Sequence, residues 1–375
     1  MHSELLHVTA GVTTVLSCWF IASLLARFPQ FKSLDQREKR VNTLDGIRGY
    51  LALGVLMHHF ILTWFWKTGG NWGEVSEVFA NNAGRFGVAV FFMISGFLFI
   101  RKIAFSEKVN WKALYASRFF RIVPLYFFAV LLVLGISAYE NLPSLLNDPI
   151  KTAGQLSRWL LFIGGPLGDS WMSIMIIAGV EWTLRYEWIF YFSLPILSVI
   201  IQMGRKACMI AVAICILLYI FPTTIALFGG FEDWALLKVE LNRGVFFKHF
   251  HYFLHTKYFF LFAVGGIAAW LEQRYERIGE FCSRKIGSFL ALLIAVATLA
   301  YPNTLDFFHS IMIGSFFFFV VLGADLFGAL KTRGSVFLSE ISYSIYLLHA
   351  VVLYLSFSII WPPQESQSQE GFMML

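Results

Sequence analysis

The chain has 375 residues, of which 58% are hydrophobic, 18% aromatic and 14% charged. That leaves too little polar side chain to coat a water-soluble globule of this size, so soluble enzymes are excluded and a polytopic membrane protein remains. The net charge of +6 comes from basic residues in short stretches between apolar runs, where they set topology rather than form a stripe for nucleic acid.

Runs of about 20 apolar residues, long enough to span a bilayer, predict all-α architecture: a helical bundle of about 10 transmembrane helices. The first run, residues 5–26, is as long as a span and lacks a small-residue cleavage site, so it is expected to be retained rather than processed as a signal peptide. The second, 45–66, contains TLDGIRGYLALGVLMHHF and places Arg48, His58 and His59 at membrane depth. An ionisable group there costs roughly 2.5 to 3.5 kcal/mol on insertion scales and usually faces protein with a task to perform. The 11 steps from Arg48 to His59 return to within roughly 20° of one helix face and rise about 16 Å. His58 points about 80° away, so His59 is the functional candidate and His58 packs.

The third run, 84–103, carries Ser95 and Gly96 at mid-membrane, where small residues admit a neighbouring helix. The fourth, 119–138, is preceded by SRFFRIVPLY, with Arg118 and Arg121 on one face at the membrane border. Two such guanidiniums suit phosphate oxygens, although they also read as topological anchors. Segment 156–178 is interrupted by Gly164, Gly165, Pro166 and Asp169 and is expected to be re-entrant, since a broken stretch at membrane depth needs protein or a water-filled cavity around it. The fifth run, 183–203, opens with WTLRYEWIFY, placing Glu187 near its start and Tyr191 one turn on. Glu187 could orient an imidazole or accept a hydroxyl proton, or pair with Arg185.

Further runs cover 207–228, 254–271, 286–301, 307–328 and 338–360. The last contains ISYSIYLLHA, whose Ser342, Tyr346 and His349 form one polar stripe that must face the bundle interior. His249, His251 and His255 lie in an aromatic stretch and read as interfacial, and the four cysteines, with no CxxC pair, read as small packing residues; no metal site is expected. Lys and Arg gather at 27–48, 101–121, 204–206, 272–285 and 331–333. These fall on one, cytoplasmic, side if 156–178 does not cross, leaving both termini outside the cytoplasm. Residues 1–42 are thus an additional N-terminal helix and linker, 43–361 one membrane domain and 362–375 a short tail.

The ordered set LDGIRG with His59, FGVAVFFMISGFLF, SRFFRIVPLY, WTLRYEWIFY and ISYSIYLLH resembles the acyltransferase-3 family of integral membrane acyltransferases, over residues 43 to about 360. The resemblance implies transfer of an acyl group, commonly acetyl, from cytoplasmic acetyl-CoA or another acyl-CoA to a hydroxyl of a carbohydrate or lipid-linked glycan such as O-antigen or exopolysaccharide, in a bacterial inner membrane. It places the family's arginine and histidine on Arg48 and His59, its RxxR motif on Arg118 and Arg121, its W(S/T)LxxE glutamate on Glu187 and its last-helix histidine on His349. It implies His59 and Glu187 as catalytic, the three arginines as binders of the CoA phosphates, and Ser95, Trp182, Tyr191, Tyr346 and His349 as substrate-binding or supporting. The helix at 5–26 precedes the usual family core, and the SGNH-type hydrolase domain fused to some relatives is not expected after the last span. On the expected mechanism neutral His59, oriented by Glu187, takes the acceptor's proton as it attacks the thioester, without metal. The competing class is a transporter or flippase using the same buried groups as a relay or anion site.

Overall fold

The apolar runs fold into helices, and no strand occurs among the residues described by the computed structural model: 2–28, 31, 42–68, 72–73, 75, 77–106, 108–227, 257–302 and 305–360. In chain order the helices are α1 (His2–Leu25), α2 (Asn42–Lys67), α3 (Val78–Phe105), α4 (Trp111–Leu146), α5 (Pro149–Leu160), α6 (Met172–Ile176) and α7 (Trp182–Gln202). They continue with α8 (Arg205–Leu227), α9 (Lys257–Arg274), α10 (Glu276–Cys282), α11 (Lys285–Leu299), α12 (Phe307–Val321), α13 (Arg333–Glu340) and α14 (Ser342–Leu355), which runs into a π-helical turn at Ser356–Ile360. Four helices, spanning 43–67, 78–105, 111–146 and 182–202, are long and apolar enough to cross a membrane, and the bent pair α13–α14 makes a fifth candidate. By length and composition the described residues thus account for four or five of the ten expected spans. Histidines 249, 251 and 255, residues 32–41 of the linker and the tail from 361 lie outside the described residues.

The last apolar run, expected to be one helix, is bent by 65° at Ile341, so that α13 and α14 are separate segments. Thr332 starts α13 as its cap, accepting from Ser335 N at 3.2 Å, and Trp19 Nε1 of α1 donates to the Thr332 hydroxyl at 2.9 Å. The helix that precedes the usual family core therefore braces the short arm of this break. The glycines of LDGIRG serve the same junction from the other side. A Cβ on Gly46 would fall 1.8 Å from the Leu330 carbonyl, and one on Gly49 would fall 2.4 Å from Leu338 Cβ, so α2 presses against residues 330–338 as no larger residue allows.

The interrupted segment is broken in the structure as well. Between α5 and α6 the chain turns through Gly164, Gly165 and Gly168, all at positive φ, which glycine adopts without steric cost. Its polar groups are satisfied by protein, the condition for irregular backbone at membrane depth. Trp159 Nε1 donates to Gly165 O at 3.0 Å, Gln155 Nε2 donates to Gly168 O at 2.9 Å and Gly168 N to Gln155 Oε1 at 2.7 Å, and Leu167 N donates to Ser173 Oγ at 2.9 Å. Tyr126, in the middle of α4, donates to Trp159 O at 2.6 Å, which fixes α5 against that helix.

Close packing of α3 on α9 sets the centre of the bundle. A Cβ on Gly96 would meet the Phe262 carbonyl at 2.2 Å, and one on Gly265 would meet the Met93 carbonyl at 2.1 Å, so the two backbones touch through paired glycines. Beside them the aromatic rings of Phe92, Phe190 and Phe262 stack, the last two at 4.2 Å between centroids.

Candidate active site

Two groups of polar residues meet in this bundle. The first is cationic and gathers where α2 and α4 begin. Arg48 lies 3.6 Å from Asp45 one turn earlier and within electrostatic reach of Arg118 and Arg121. Arg118 is half-buried, its guanidinium 5.4 Å from the Phe99 ring centroid, and Arg121 is exposed. Glu187, on the first part of α7, faces this group: Ser95 Oγ of α3 donates to its Oε1 at 2.7 Å, the Tyr191 hydroxyl donates to its Oε2, and Arg118 and Arg48 are its charged neighbours. Tyr191 is held in turn by α4, whose Tyr115 hydroxyl donates to the Tyr191 carbonyl at 3.1 Å.

The second group is a pair of imidazoles from α2 and α14. His59 Nδ1 and His349 Nε2 are 3.0 Å apart. His349 Nδ1 lies 3.0 Å from the Ile345 carbonyl, and His59 Nδ1 lies 3.1 Å from the Val55 carbonyl. A carbonyl oxygen only accepts, so both Nδ1 atoms carry hydrogen. In the neutral pair His349 Nε2 is then the acceptor, His59 Nδ1–H is shared between it and Val55 O, and His59 Nε2 keeps its lone pair with no hydrogen-bond donor on it among the described residues. His58 packs as expected, its Nδ1 3.1 Å from the Ala80 carbonyl and its ring against Gly84, and its ring centroid lies 4.8 Å from that of His59.

The expectation that Glu187 orients His59 is not met: Glu187 bonds Ser95 and Tyr191, and the side-chain partner of His59 is His349. Ser95, which the spacing gives as a packing residue and the resemblance as a supporting one, bonds the glutamate, while its neighbour Gly96 does the packing. Tyr346 lies between the two groups. Its hydroxyl shares a 2.8 Å hydrogen bond with Thr183 Oγ1, its ring centroid is 6.4 Å from that of His349, and Glu187 is within electrostatic reach. Ser342 is not part of this contact and bonds back to the Ser339 carbonyl. Trp182 belongs to an aromatic wall with Phe92, Tyr186 and Tyr258, its ring 4.7 Å from Tyr258. Thr183 and Tyr258 escaped the sequence reading; Thr183 stands within WTLRYEWIFY, whereas Tyr258 carries no local signal.

Chemically, a cluster of three guanidiniums at one end of α2 suits an anion with several oxygens. An imidazole with one nitrogen fixed as donor and the other unprotonated suits a proton acceptor.

Comparison with known proteins agrees with that chemistry. A family model described as an acyltransferase domain matches residues 41–374. ORF330 of Acidianus two-tailed virus, which carries the provisional name of an acetyltransferase, is 24% identical over 314 residues, covering 82% of this chain and 81% of its own. Nodulation protein 10 of Rhizobium leguminosarum bv. viciae is 24% identical over 339 residues, covering 85% of each chain. No solved structure matches. With the family model spanning nearly the whole chain, this multi-pass membrane protein belongs to the acyltransferase-domain family and is an acyltransferase.

Proposed function

We propose that the protein moves an acyl group, acetyl in the simplest case, from acyl-CoA in the cytoplasm to a hydroxyl of a carbohydrate or glycolipid, in a cytoplasmic membrane. The observation that carries this reading is the arrangement along α2. Arg48, in its second turn, has Arg118 and Arg121 of α4 within electrostatic reach, and on the same face about 16 Å further on stands His59, whose Nδ1 carries the hydrogen of the neutral ring and leaves Nε2 as its acceptor. The arginines bind the phosphates of the donor, and the thin pantetheine arm carries the thioester inward to the imidazole. His59 Nε2 takes the hydroxyl proton as the oxygen bonds to the thioester carbonyl carbon, and the carbon–sulfur bond breaks to release CoA thiolate. His349 acts through His59 by holding its ring, as the second acceptor of the Nδ1–H that the Val55 carbonyl already fixes. Glu187 offsets the arginine charge and, with Ser95 and Tyr191, shapes the donor end.

The test is acetyl-CoA turnover by the purified full chain in nanodiscs, with the arginine fork as the probe of assignment. Arg118→Lys and Arg121→Lys keep the charge that sets topology but lose the planar fork. Each is expected to weaken acetyl-CoA binding by about tenfold, equivalent to one charge-assisted hydrogen bond of roughly 1.5 kcal/mol. Unchanged donor affinity in both would leave the arginines as anchors only. No turnover and no acetyl-CoA binding would favour a transporter.

Sidedness follows from the same scheme. After removal of the four native cysteines, a cysteine at Ser106, exposed at the α3 end near the arginines, is expected to resist an impermeant thiol reagent in intact cells. One at Asn147, exposed past the far end of α4, is expected to react. Like behaviour of the two would remove the partition of donor and acceptor between faces.

A further inference from the structure

Beyond the imidazoles, α2 carries a third residue on the same line. The seven steps from His59 to Trp66 return to within roughly 20° of that face and rise about 10 Å. Trp66 does not stand alone there. The Trp72 ring meets it edge-on at 5.3 Å and 90°, and Tyr354 of α14 lies 6.4 Å away, tilted by 33°. Lys67 Nζ sits 4.0 Å from the Trp66 ring centroid and 5.3 Å from that of Tyr354. The Tyr354 hydroxyl donates to Glu140 Oε1 of α4 at 2.5 Å, and Lys67 and Glu140 interact electrostatically. Two indoles at right angles thus form a corner whose remaining sides are a phenol, an ammonium and a carboxylate.

Tryptophan and tyrosine also collect at membrane borders as lipid-facing anchors. This cluster differs, because Tyr354 is only 2% exposed and Trp66 is packed against the interior. Its rings face one another and two charged groups, with Trp66, Trp72 and Lys67 half-buried and Glu140 exposed at the rim. Flat apolar rings beside groups that both donate and accept hydrogen bonds match a pyranose, which presents a face of C–H bonds and a rim of hydroxyls.

We propose that Trp66, Trp72 and Tyr354, with Lys67 and Glu140, form the acceptor subsite and bind a sugar ring by stacking, directly above the His59–His349 pair. This rests on the acyl-transfer reading above for which bound hydroxyl reacts. The rise of about 10 Å from His59 to Trp66 is close to the length of two pyranose residues. The acceptor is therefore a glycan of two or more residues, one stacked on Trp66 and the next offering its hydroxyl to His59 Nε2.

The experiment is saturation-transfer NMR on the full chain in phosphatidylcholine nanodiscs, with methyl β-glucoside, lactose and chitobiose as probes and glycerol as a polyol without a ring face. Ring protons of at least one sugar are expected to be saturated, a disaccharide more strongly than the monosaccharide, and glycerol not at all. Trp66→Ala is expected to lower the signal at least about fivefold, the scale of losing one aromatic face, while Trp66→Phe keeps part of it. Trp171→Ala, which alters an exposed indole elsewhere, leaves it unchanged. Should Trp66→Ala fail to fold, Trp72→Ala takes its place. Absence of sugar saturation in the unmodified protein, or equal signals before and after the Trp66 or Trp72 substitution, would overturn the subsite. Acetyl-CoA turnover is read in the same preparation. Turnover without sugar saturation removes the subsite and keeps the acyltransferase chemistry, and saturation without turnover does the reverse.

Discussion

Replacing His59 by alanine is expected to lower acyl transfer by roughly 100-fold or more, the usual scale of a lost general base, with protein level and acetyl-CoA binding near those of the unmodified chain. His58→Ala is expected to do much less, since His58 bonds the Ala80 carbonyl and packs on Gly84, and touches His59 only through its ring, 4.8 Å away, without sharing the His59–His349 hydrogen bond. The pair geometry adds a finer expectation. Because His349 Nε2 and the Val55 carbonyl share His59 Nδ1–H, His349→Ala removes one of its two acceptors and loosens the ring orientation of His59, whereas His349→Gln retains an acceptor oxygen at similar reach. Transfer measured at saturating donor should therefore rank unmodified, His349→Gln, His349→Ala, His59→Ala in descending order, with donor affinity constant across the series. Equal loss in His58→Ala and His59→Ala, or His349→Gln no better than His349→Ala, would remove these roles.

The second large effect is structural. Gly96→Val is expected to abolish the monodisperse folded peak in size-exclusion chromatography, and Gly96→Ala to lower the thermal midpoint. Even a methyl at Gly96 would stand 2.2 Å from the Phe262 carbonyl, a backbone atom that no rotamer change can move. Overpacking typically costs about 1 to 3 kcal/mol, and the extra methyls of valine enlarge the displacement. Gly265→Val is expected to behave alike, as its partner contact is the Met93 carbonyl. Ser95→Ala, one residue away, keeps the fold and instead impairs transfer by releasing Glu187 Oε1. A Gly96→Val protein with an unchanged midpoint would show that α3 and α9 are not in contact.

How much of this was legible in the sequence depends on the distance over which each feature is decided. The facing of Arg48 and His59 follows from helix periodicity within one segment, and the break at Gly164–Gly168 follows from the residues that make it. The bend at Ile341 has no such signal, because no proline or glycine marks it; it is held from outside by Trp19 and by the close approach of α2. Partner choice was the least legible. His59 and His349 are 290 residues apart in the chain, and only the packing of α14 on α2 brings them to 3.0 Å. The packing of α7 on α3 brings Glu187 to Ser95, 92 residues away, whereas its bond to Tyr191, one turn on, follows from helix spacing.

That no carboxylate among the described residues hydrogen-bonds either imidazole has a consequence for turnover. A histidine backed by an anion can hold its extra proton as a lasting ion pair, whereas two neutral rings in an apolar bundle hold a cation only at a steep solvation penalty. In the proposed chemistry this is self-correcting: the hydroxyl surrenders one proton and the departing thiolate requires one. The catalytic cycle closes with no net proton taken from or given to either side of the membrane. An acyl group would thus cross from one compartment's donor to the other's acceptor without drawing on, or leaking, the proton gradient across the same bilayer.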